Sequence, residues 1–408
     1  MDHMTIGKAR VLVDLGVVAS GGVATLLGAY YLINGSFVWI YALAAVVCLA
    51  ALRLVRLEIS KRLMLALVAL FASLAFAEGL LRSLAARDDA PGTARRLYTK
   101  GYSETLRRNG GPLGYGPAPG RAVQAWKTVG HERVYDVIYT IDEHAMRRTR
   151  GPEQGAGSFL FFGGSYVFGE GIEDEETLPF FFSRELGFRY RVLNLGFSGY
   201  GPHQMLRSIE IGLFDDAAAE PVIAAIYVGM PSHVDRLAGK SWWDPFGPRY
   251  ALSPEGSVAY EGPFLRLPER WVGVYYTLLK TVEVARRSVV IDRTMGLFDG
   301  TQRSSDRASV DLYVSVIERS AEILKERYGA ALLVLFWDDD GDRSARILRR
   351  LEDLGIPYRR VSQFMSADQR MEYRVPEDGH PSAVANAIMA GGLADWTASL
   401  AGERQLPE

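Results

Sequence analysis

The amino-terminal part of the chain contains an unusually long stretch without charge. From Leu15 to Leu52 there is no Asp, Glu, Lys, Arg or His. A membrane-spanning helix needs about 20 apolar residues, so this stretch is long enough for two. The turn sequence Asn34-Gly35-Ser36 lies near its middle. It predicts one helix over residues 11–33 and a second over residues 37–55.

A third apolar run covers residues 63–81 and carries a single acid, Glu78, near its far end. We therefore predict that residues 1–84 form a membrane domain with three transmembrane helices. The basic residues set the orientation, because loops rich in Lys and Arg stay in the cytoplasm. They precede the first helix and separate the second from the third, at Lys8, Arg10, Arg53, Arg56, Lys61 and Arg62. This predicts a multi-pass protein of the inner (cytoplasmic) membrane, with a cytoplasmic amino terminus and a periplasmic, extracytoplasmic remainder.

The composition excludes several classes of function. The 408 residues are 48% hydrophobic, which permits a large core and excludes general disorder. The net charge of −2 gives no indication of nucleic-acid binding. The single cysteine, Cys48, permits neither an internal disulfide nor a cysteine metal site. The acids at residues 338–342 lack the spacing of a calcium loop. We predict no metal and no cofactor.

Beyond the membrane domain, short apolar runs alternate with helical patterns. Strands are expected over residues 159–162, 191–195, 222–228, 331–336 and 357–361. Helices are expected over residues 175–186, 202–213, 310–328, 344–354 and 383–400, with Ser344 as an N-cap. This alternation predicts a doubly wound parallel α/β sheet over residues 158–408.

Two segments do not follow this alternation. Residues 85–157 are rich in Gly, Pro and Arg, and we interpret them as an extracytoplasmic linker and amino-terminal extension with a strand over residues 133–141. Residues 237–305 hold many Trp and Tyr side chains. We interpret them as an aromatic-rich insertion over the face where the strands end, as a lid or as a small core of its own.

The first predicted strand leads directly into a glycine turn that carries a serine. Phe159 to Phe162 is an apolar run, Gly163 and Gly164 break it, and Ser165 follows. A serine that leaves a buried strand in this way lies at the strand's carboxyl end, where open α/β sheets place their chemistry. Ser165 is therefore the candidate nucleophile, although the stretch alone is more typical of a glycine-rich loop with a solvated serine.

Two further turns are expected at the same edge of the sheet. Residues 196–201 form a glycine turn after the second strand. Residues 376–382, which contain Asp378 and His380, directly precede the last helix. Both turns lie at the carboxyl end of a doubly wound sheet, so Ser165, Asp378 and His380 are expected to meet there. Their order along the chain is one that nucleophilic triads use.

Three of these turns resemble sequence blocks of the SGNH/GDSL hydrolase superfamily. Residues 163–166 (GGSY) match the first block, with Gly164 where an acid usually stands. Residues 194–201 (NLGFSGYG) match the second block, and residues 378–382 (DGHPS) match the last. The Asp-x-His spacing is similar to that of the alginate-acetylation branch, in a membrane-anchored form, and Glu377 stands at the commoner, longer spacing as the alternative acid.

The resemblance implies a flavodoxin-like order of strands and a catalytic triad. The triad is Ser165, His380 and Asp378, and the amides of Ser165 and Gly199 form the oxyanion hole. The third block departs from the family, because its usual asparagine position falls on Pro231, which has no N–H. The following residues Ser232 and His233 are candidates for the missing donor. His233 and Arg236 are also candidates for substrate binding or for holding their loop by hydrogen bonds.

These observations favour one function and leave two alternatives. The first is a membrane-anchored serine hydrolase of O-acyl esters, expected to be acetyl esters, on an envelope or secreted glycan. The second is an O-acyltransferase that modifies an exported polysaccharide and is supplied by a membrane acyl-donor protein. The third is a non-catalytic glycan-binding or assembly protein on the same fold. The intact Ser165, Asp378 and His380 favour an enzyme, whereas Pro231 favours the non-catalytic alternative.

Overall fold

The structure of the protein is a computed structural model. It describes residues 37–51, 58–88, 98–102, 106–129, 132–152, 155–241, 243–253, 255–267, 271, 274–275 and 303–402. The chain divides into two compact units. One contains Met1–Arg95 and Pro268–Gln302, and the other contains Arg96–Leu267 and Arg303–Glu408.

The first unit contains two described helices, α1 (Phe37–Ala51) and α2 (Glu58–Asp88). Within α2, the segment Lys61–Leu80 is long and apolar enough to cross a membrane, and it is the one such segment among the described residues. The third predicted membrane helix thus coincides with an observed helix. The second coincides with α1, which is 15 residues long. The first, over residues 11–33, lies outside the described residues, so a domain with three spans stays a prediction.

The second unit is built on a five-stranded parallel sheet. Its strands in chain order are β6 (Ser158–Gly163), β7 (Arg191–Asn194), β8 (Val222–Gly229), β11 (Ala331–Phe336) and β12 (Tyr358–Arg360). Their order across the sheet is β12-β11-β8-β6-β7. Numbered within this sheet the order is 2-1-3-4-5, which is the flavodoxin-like arrangement. The predicted doubly wound parallel sheet is confirmed.

Both faces of this sheet are buried, which explains why its strands are continuously apolar. In β6, Leu160 and Phe162 belong to one apolar cluster, and Phe159 and Phe161 belong to another. Successive strand residues point to opposite faces, so one strand supplies both cores. Burial of a side chain such as Phe161, which is fully enclosed, contributes about 2–3 kcal/mol.

The helices between and after the strands supply most of the partners of these two clusters. They are α3 (Ser165–Phe168), α4 (Leu178–Glu185), α5 (Pro202–Glu210), α6 (His233–Leu237), α7 (Arg303–Tyr328), α8 (Asp342–Asp353), α9 (Ala367–Glu372) and α10 (Ala383–Gly402). The helix expected over residues 175–186 is divided, because Thr177 caps α4 and accepts a hydrogen bond from the Phe180 amide. The prediction that Ser344 is an N-cap is wrong. Helix α8 begins after Gly341, and the Ser344 hydroxyl lies inside it and donates to Asp339 Oδ1.

Antiparallel strands before β6 form a second, smaller sheet in the same unit. Strand β4 (Arg121–Val129) pairs with β1 (Tyr98–Tyr102) on one side and with β5 (Glu132–Ile141) on the other. The predicted strand over residues 133–141 is confirmed as β5. Two hairpins are also present, β2 (Arg107–Asn109) with β3 (Tyr115–Pro117), and β9 (Pro248–Leu252) with β10 (Val258–Pro263).

A buried arginine joins the smaller sheet to the loop that follows α3. The Arg147 side chain is fully enclosed, and its Nε donates to Asp174 Oδ1 at 2.9 Å. Its two terminal nitrogens donate to the carbonyl oxygens of Phe168 at 2.8 Å and Ile172 at 2.7 Å. Because loop carbonyls lack strand partners, these bonds hold the loop in one conformation.

Candidate active site

Ser165 lies at the carboxyl end of β6, as the strand and glycine turn predict. It begins α3, a single helical turn that ends at Gly169, whose φ of +82° is left-handed. The Ser165 carbonyl accepts the amides of Gly169 at 2.8 Å and Glu170 at 3.1 Å. Val167 and Phe168 are fully buried behind the serine. The turn is therefore anchored from beneath, and Ser165 retains 9% of its surface exposed.

His380 and Asp378 form a hydrogen-bonded pair in the loop before α10. His380 Nδ1 faces Asp378 Oδ1, so Nε2 is the ring nitrogen left for proton transfer. Asp378 Oδ2 accepts a hydrogen bond from the Lys127 ammonium at 2.7 Å. Burial acts to raise the pKa of Asp378, but the contacts from His380 and Lys127 outweigh burial and lower it to about 2. The Glu377 side chain is exposed, so Asp378 is the acid that contacts His380.

The His380 loop lies against the helix that begins at Ser165. The rings of Tyr166 and His380 meet edge to face, with centroids 5.4 Å apart, and Tyr166 packs in the same way on Trp337 at 4.9 Å. A carboxylate oxygen of Glu170 lies within 4.8 Å of ligand atoms of both His380 and Asp378. The structure thus brings Ser165, His380 and Asp378 to one edge of the sheet, from the turn after β6 and from the loop before α10.

The second glycine turn is fixed by contacts from three other segments. Gly199 has a left-handed φ of +85°, and a Cβ there would lie 2.5 Å from both Tyr115 Oη and Trp243 Nε1. The Tyr115 hydroxyl donates to the Ser198 carbonyl at 2.9 Å. The Ser198 hydroxyl donates to Glu170 Oε2 at 2.5 Å. Glycine is required here both by its backbone conformation and by the close approach of its neighbours.

The structure separates the three candidates that follow Pro231. Ser232 is exposed and precedes α6. His233 is buried, its Nδ1 lies 2.7 Å from the Tyr227 hydroxyl, and burial together with Arg236 holds its pKa well below the usual range. Its Nε2 makes no hydrogen bond within the described part of the chain and would lie 3.4 Å from a Cβ at residue 164, so His233 stays a candidate beside the Ser165 turn. The Arg236 side chain instead lies against the turn that contains Gly164 and Ser165.

The Arg236 guanidinium occupies the space beside Gly164. Its Nη1 donates to the Tyr200 carbonyl at 2.7 Å, and a Cβ at residue 164 would lie only 2.6 Å from the same nitrogen. Glycine at this position therefore admits the guanidinium between the Ser165 turn and the Gly199 turn. Burial lowers the pKa of Arg236, and nearby Tyr and Glu170 side chains oppose that shift. Arginine stays charged under these conditions, because its ordinary pKa is above 12.

Two residues of this site were missed by the sequence reasoning, namely Lys127 and Glu170. Lys127 could have been found from the sequence. The apolar residues Val123, Ala125 and Val129 alternate along the buried face of β4, and the position of Lys127 falls on that face. A lysine on the apolar face of a strand is unusual. Glu170 lies between two glycines in the predicted loop, and nothing in that pattern distinguishes it from a solvated acid.

Among the described residues, one group has the geometry of a metal site, and it overlaps the pair above. Glu170, Asp378 and His380 each offer an atom within 4.8 Å of the others. Asp378 Oδ1 faces His380 and Asp378 Oδ2 holds the Lys127 ammonium. A cation would have to displace both partners, so we assign no metal to this group.

Comparisons with known proteins are distant. Neither a protein-family model nor a curated protein matches the chain. Among solved structures, a protein described as lipolytic and of the G-D-S-L family from Desulfitobacterium hafniense has a TM-score of 0.34 and 10% identity. It covers 59% of this chain and 98% of its own. A protein described as an arylesterase from Agrobacterium tumefaciens has a TM-score of 0.34 and 16% identity, with the same coverage.

A third solved structure is an α/β hydrolase enzyme from the metagenome of Lake Arreo, with a TM-score of 0.33 and 11% identity. It covers 60% of this chain and 97% of its own. These likenesses are too low to assign a family. The class of protein is therefore defined by the chain's own features, which are a flavodoxin-like α/β unit with Ser165, His380 and Asp378 at the carboxyl edge of its sheet.

Proposed function

We propose that the protein is a serine-dependent ester hydrolase. The observation that carries this proposal is the Asp378–His380 pair, which lies against the helix that begins at Ser165. Asp378 orients the imidazole and stabilises its charged form, so that Nε2 can accept the proton of the Ser165 hydroxyl. The serine oxygen then attacks the ester carbonyl carbon and forms a tetrahedral oxyanion.

The remaining steps restore the enzyme. His380 returns the proton to the leaving alkoxide as the carbonyl–oxygen bond breaks, which leaves an acyl group on Ser165. A water molecule gives a proton to His380 and attacks this acyl group. The carboxylic acid then leaves, and the proton returns to Ser165. The same residues would carry an O-acyltransferase, in which an acceptor hydroxyl replaces water.

We further propose that Arg236 is the third donor to the oxyanion, beside the amides of Ser165 and Gly199. Pro231 supplies neither an N–H nor a polar side chain, and Ser232 faces solvent. The Nδ1 atom of His233 is held by Tyr227, and its unpartnered Nε2 can donate only as a neutral group, which makes a weaker hydrogen bond to an oxyanion than a charged guanidinium does. Only one hydrogen bond of the Arg236 guanidinium is made within the described part of the chain, to Tyr200. A fixed cation near developing negative charge is an effective catalytic group in a site of low polarity.

The proposed substrates are O-acyl esters, with acetyl esters of an envelope or secreted glycan as the preferred class. Membrane anchoring is supported by the apolar helix segment Lys61–Leu80 and by the charge-free sequence before it. The positive-inside rule supports an extracytoplasmic catalytic unit. Tyr166, which packs beside His380, and Trp337, which packs on Tyr166, offer aromatic surface of the kind that stacks on sugar rings.

The test is hydrolysis of 4-nitrophenyl acetate by the full-length protein in detergent. Ser165→Ala is expected to lower kcat at least about 1,000-fold, because no nucleophile remains. Ser399→Ala, at an exposed position of α10, is the matched control and should keep full activity. Hydrolysis that persists in Ser165→Ala would refute the proposal. Acyl transfer to an added oligosaccharide in place of water would identify a transferase. Failure of folded wild-type protein to react with an active-serine probe would support the non-catalytic alternative.

A further inference from the structure

Lys127 is a buried lysine that comes from the smaller, antiparallel sheet and reaches the catalytic acid. It lies in β4, and its side chain is 11% exposed. Its ammonium donates to Asp378 Oδ2 at 2.7 Å and to the Glu377 carbonyl oxygen at 3.0 Å. A lysine is rarely enclosed unless its charge is paired, and here both of these partners belong to the loop that carries His380.

The backbone of that loop is unfavourable at the residue next to the catalytic acid. Glu377 has a left-handed φ of +55° although it carries a side chain, and Gly379 has a φ of +88°. Left-handed backbone at a non-glycine residue persists only where surrounding contacts hold it. The Val375 carbonyl accepts the amides of Asp378 at 3.1 Å and Gly379 at 3.0 Å. Lys127 adds the bond that fixes the Glu377 carbonyl.

We propose that Lys127 is a positioning residue of the active site, which holds the strained Glu377–Asp378 peptide and fixes the Asp378 carboxylate with one oxygen toward His380. The proposal rests on the proposed function. Asp378 divides its two oxygens between His380 Nδ1 and the Lys127 ammonium. The carboxylate therefore cannot rotate without breaking one of two charge-assisted hydrogen bonds. The smaller sheet thereby contributes directly to the geometry of the catalytic pair.

The ammonium also sets the charge that His380 experiences. The charged or titratable groups around this pair are Lys127 on the far side of Asp378, Glu170 within 4.8 Å, and Tyr166 against the imidazole ring. Arg374 and Arg236 act on Tyr166 from two other segments. Lys127 is the cation bonded to Asp378, so it offsets the carboxylate that stabilises a protonated imidazole. Removal of the ammonium therefore makes the surroundings of the imidazole more negative.

The experiment compares three variants of the full-length protein. Lys127→Met removes the charge and keeps an unbranched side chain of similar length. Lys127→Arg keeps the charge. Lys325→Met removes one exposed lysine from the last turn of α7 and serves as the control. The measurements are kcat, KM and the pH dependence of kcat/KM for 4-nitrophenyl acetate. Side-chain NMR of labelled histidine follows the protonation of His380, assigned among six histidines by His380→Gln.

For Lys127→Met we expect kcat to fall about 10- to 100-fold with KM nearly unchanged, because a displaced catalytic group slows chemistry more than binding. The acid limb of the profile should move up by about one pH unit. Lys127→Arg should return the acid limb to within about 0.3 unit of wild type, since the cation is retained. Lys325→Met should match wild type throughout.

Two results would overturn the proposal. The first is a folded Lys127→Met variant with the wild-type kcat and pH profile. The second is a loss of activity in both Lys127 variants with no movement of the acid limb or of His380 protonation, which indicates a structural role only. The NMR titration is repeated in Ser165→Ala, where activity is not needed. If hydrolysis proves independent of Ser165 but His380 protonation still moves with Lys127, the proposed function fails while the positioning contact stands.

Discussion

Gly164→Ala tests the contribution of Arg236, because it adds one methyl group where the guanidinium lies. A Cβ at residue 164 would be 2.6 Å from Arg236 Nη1, 3.2 Å from the Tyr200 carbonyl oxygen and 3.4 Å from His233 Nε2. The φ of Gly164 is −89°, so alanine meets no left-handed strain. The end of a long, flexible side chain is the group that has to move.

The size of the effect follows from these contacts. A carbon and a nitrogen that do not bond prefer a separation of about 3.5 Å, so the guanidinium has to retreat by about 1 Å. That retreat breaks its charge-assisted hydrogen bond to Tyr200, which is worth about 1.5–3 kcal/mol. Loss of one oxyanion donor lowers kcat by about 100- to 1,000-fold. We therefore expect kcat of Gly164→Ala to fall about 100-fold, with KM within about threefold of wild type.

The assay is steady-state hydrolysis of 4-nitrophenyl acetate, with circular dichroism to show that the variant is folded. Gly391→Ala is a matched control, since a Cβ there has nothing within 4 Å. A double-mutant cycle with Arg236→Ala tests whether Gly164→Ala lowers activity by displacing the Arg236 guanidinium or by a separate effect of the added methyl group. Once Arg236 is truncated, Gly164→Ala should cost little more. Full activity of Gly164→Ala, or effects of the two substitutions that simply add, would refute Arg236 as an oxyanion donor.

Two further predictions concern stability. Arg147→Met should lower the free energy of unfolding of the second unit by about 3 kcal/mol, because it leaves Asp174 and several loop carbonyls without their buried donor. Thermal unfolding measures this, and the control Arg148→Met, at an exposed position, should change the stability little. The pKa of Asp378 is lowered to about 2 from 3.8, so its ionised carboxylate contributes to the free energy of unfolding. This contribution is fully present above about pH 4 and is lost as the pH falls toward 2. Solvent screening limits this contribution to about 1 kcal/mol. The difference in free energy of unfolding between wild type and Asp378→Asn should therefore be about 1 kcal/mol smaller at pH 2 than at pH 5.

The central sheet could be predicted from the sequence because each of its strands is buried on both faces. The run from Val222 to Val228 is apolar at every position, which is typical of a strand covered by helices on both sides. The order of the strands across the sheet could be predicted only from the resemblance of three short blocks to a known family. No local pattern shows which strand lies beside which.

The residues of the candidate site likewise fall into two groups, those that local sequence patterns predict and those that only the packing of the fold reveals. Ser165, Gly199 and the Asp378-Gly379-His380 turn follow from glycine turns at the carboxyl ends of strands or directly before the last helix. The sequence predicts Arg236 only as a residue that binds substrate or holds its own loop, and the space left by Gly164 is what reveals its guanidinium beside the Ser165 turn. Lys127 lies 251 residues from its partner Asp378. A contact over such a separation depends on how two sheets pack, which periodicity within either segment does not determine.

These contacts also bear on where the functional unit begins. The strand alternation starts at residue 158, which marks the start of the parallel sheet. Lys127 and Tyr115 lie before that point. Lys127 bonds to Asp378, and Tyr115 bonds to the Ser198 carbonyl in the Gly199 turn. Both are buried, so removing the strands β3 and β4 that carry them would expose and release two of the three loops that form the site. The start of the strand–helix alternation therefore marks where the parallel sheet begins. The extent of the site depends instead on the residues that hold its loops, some of which lie before that point.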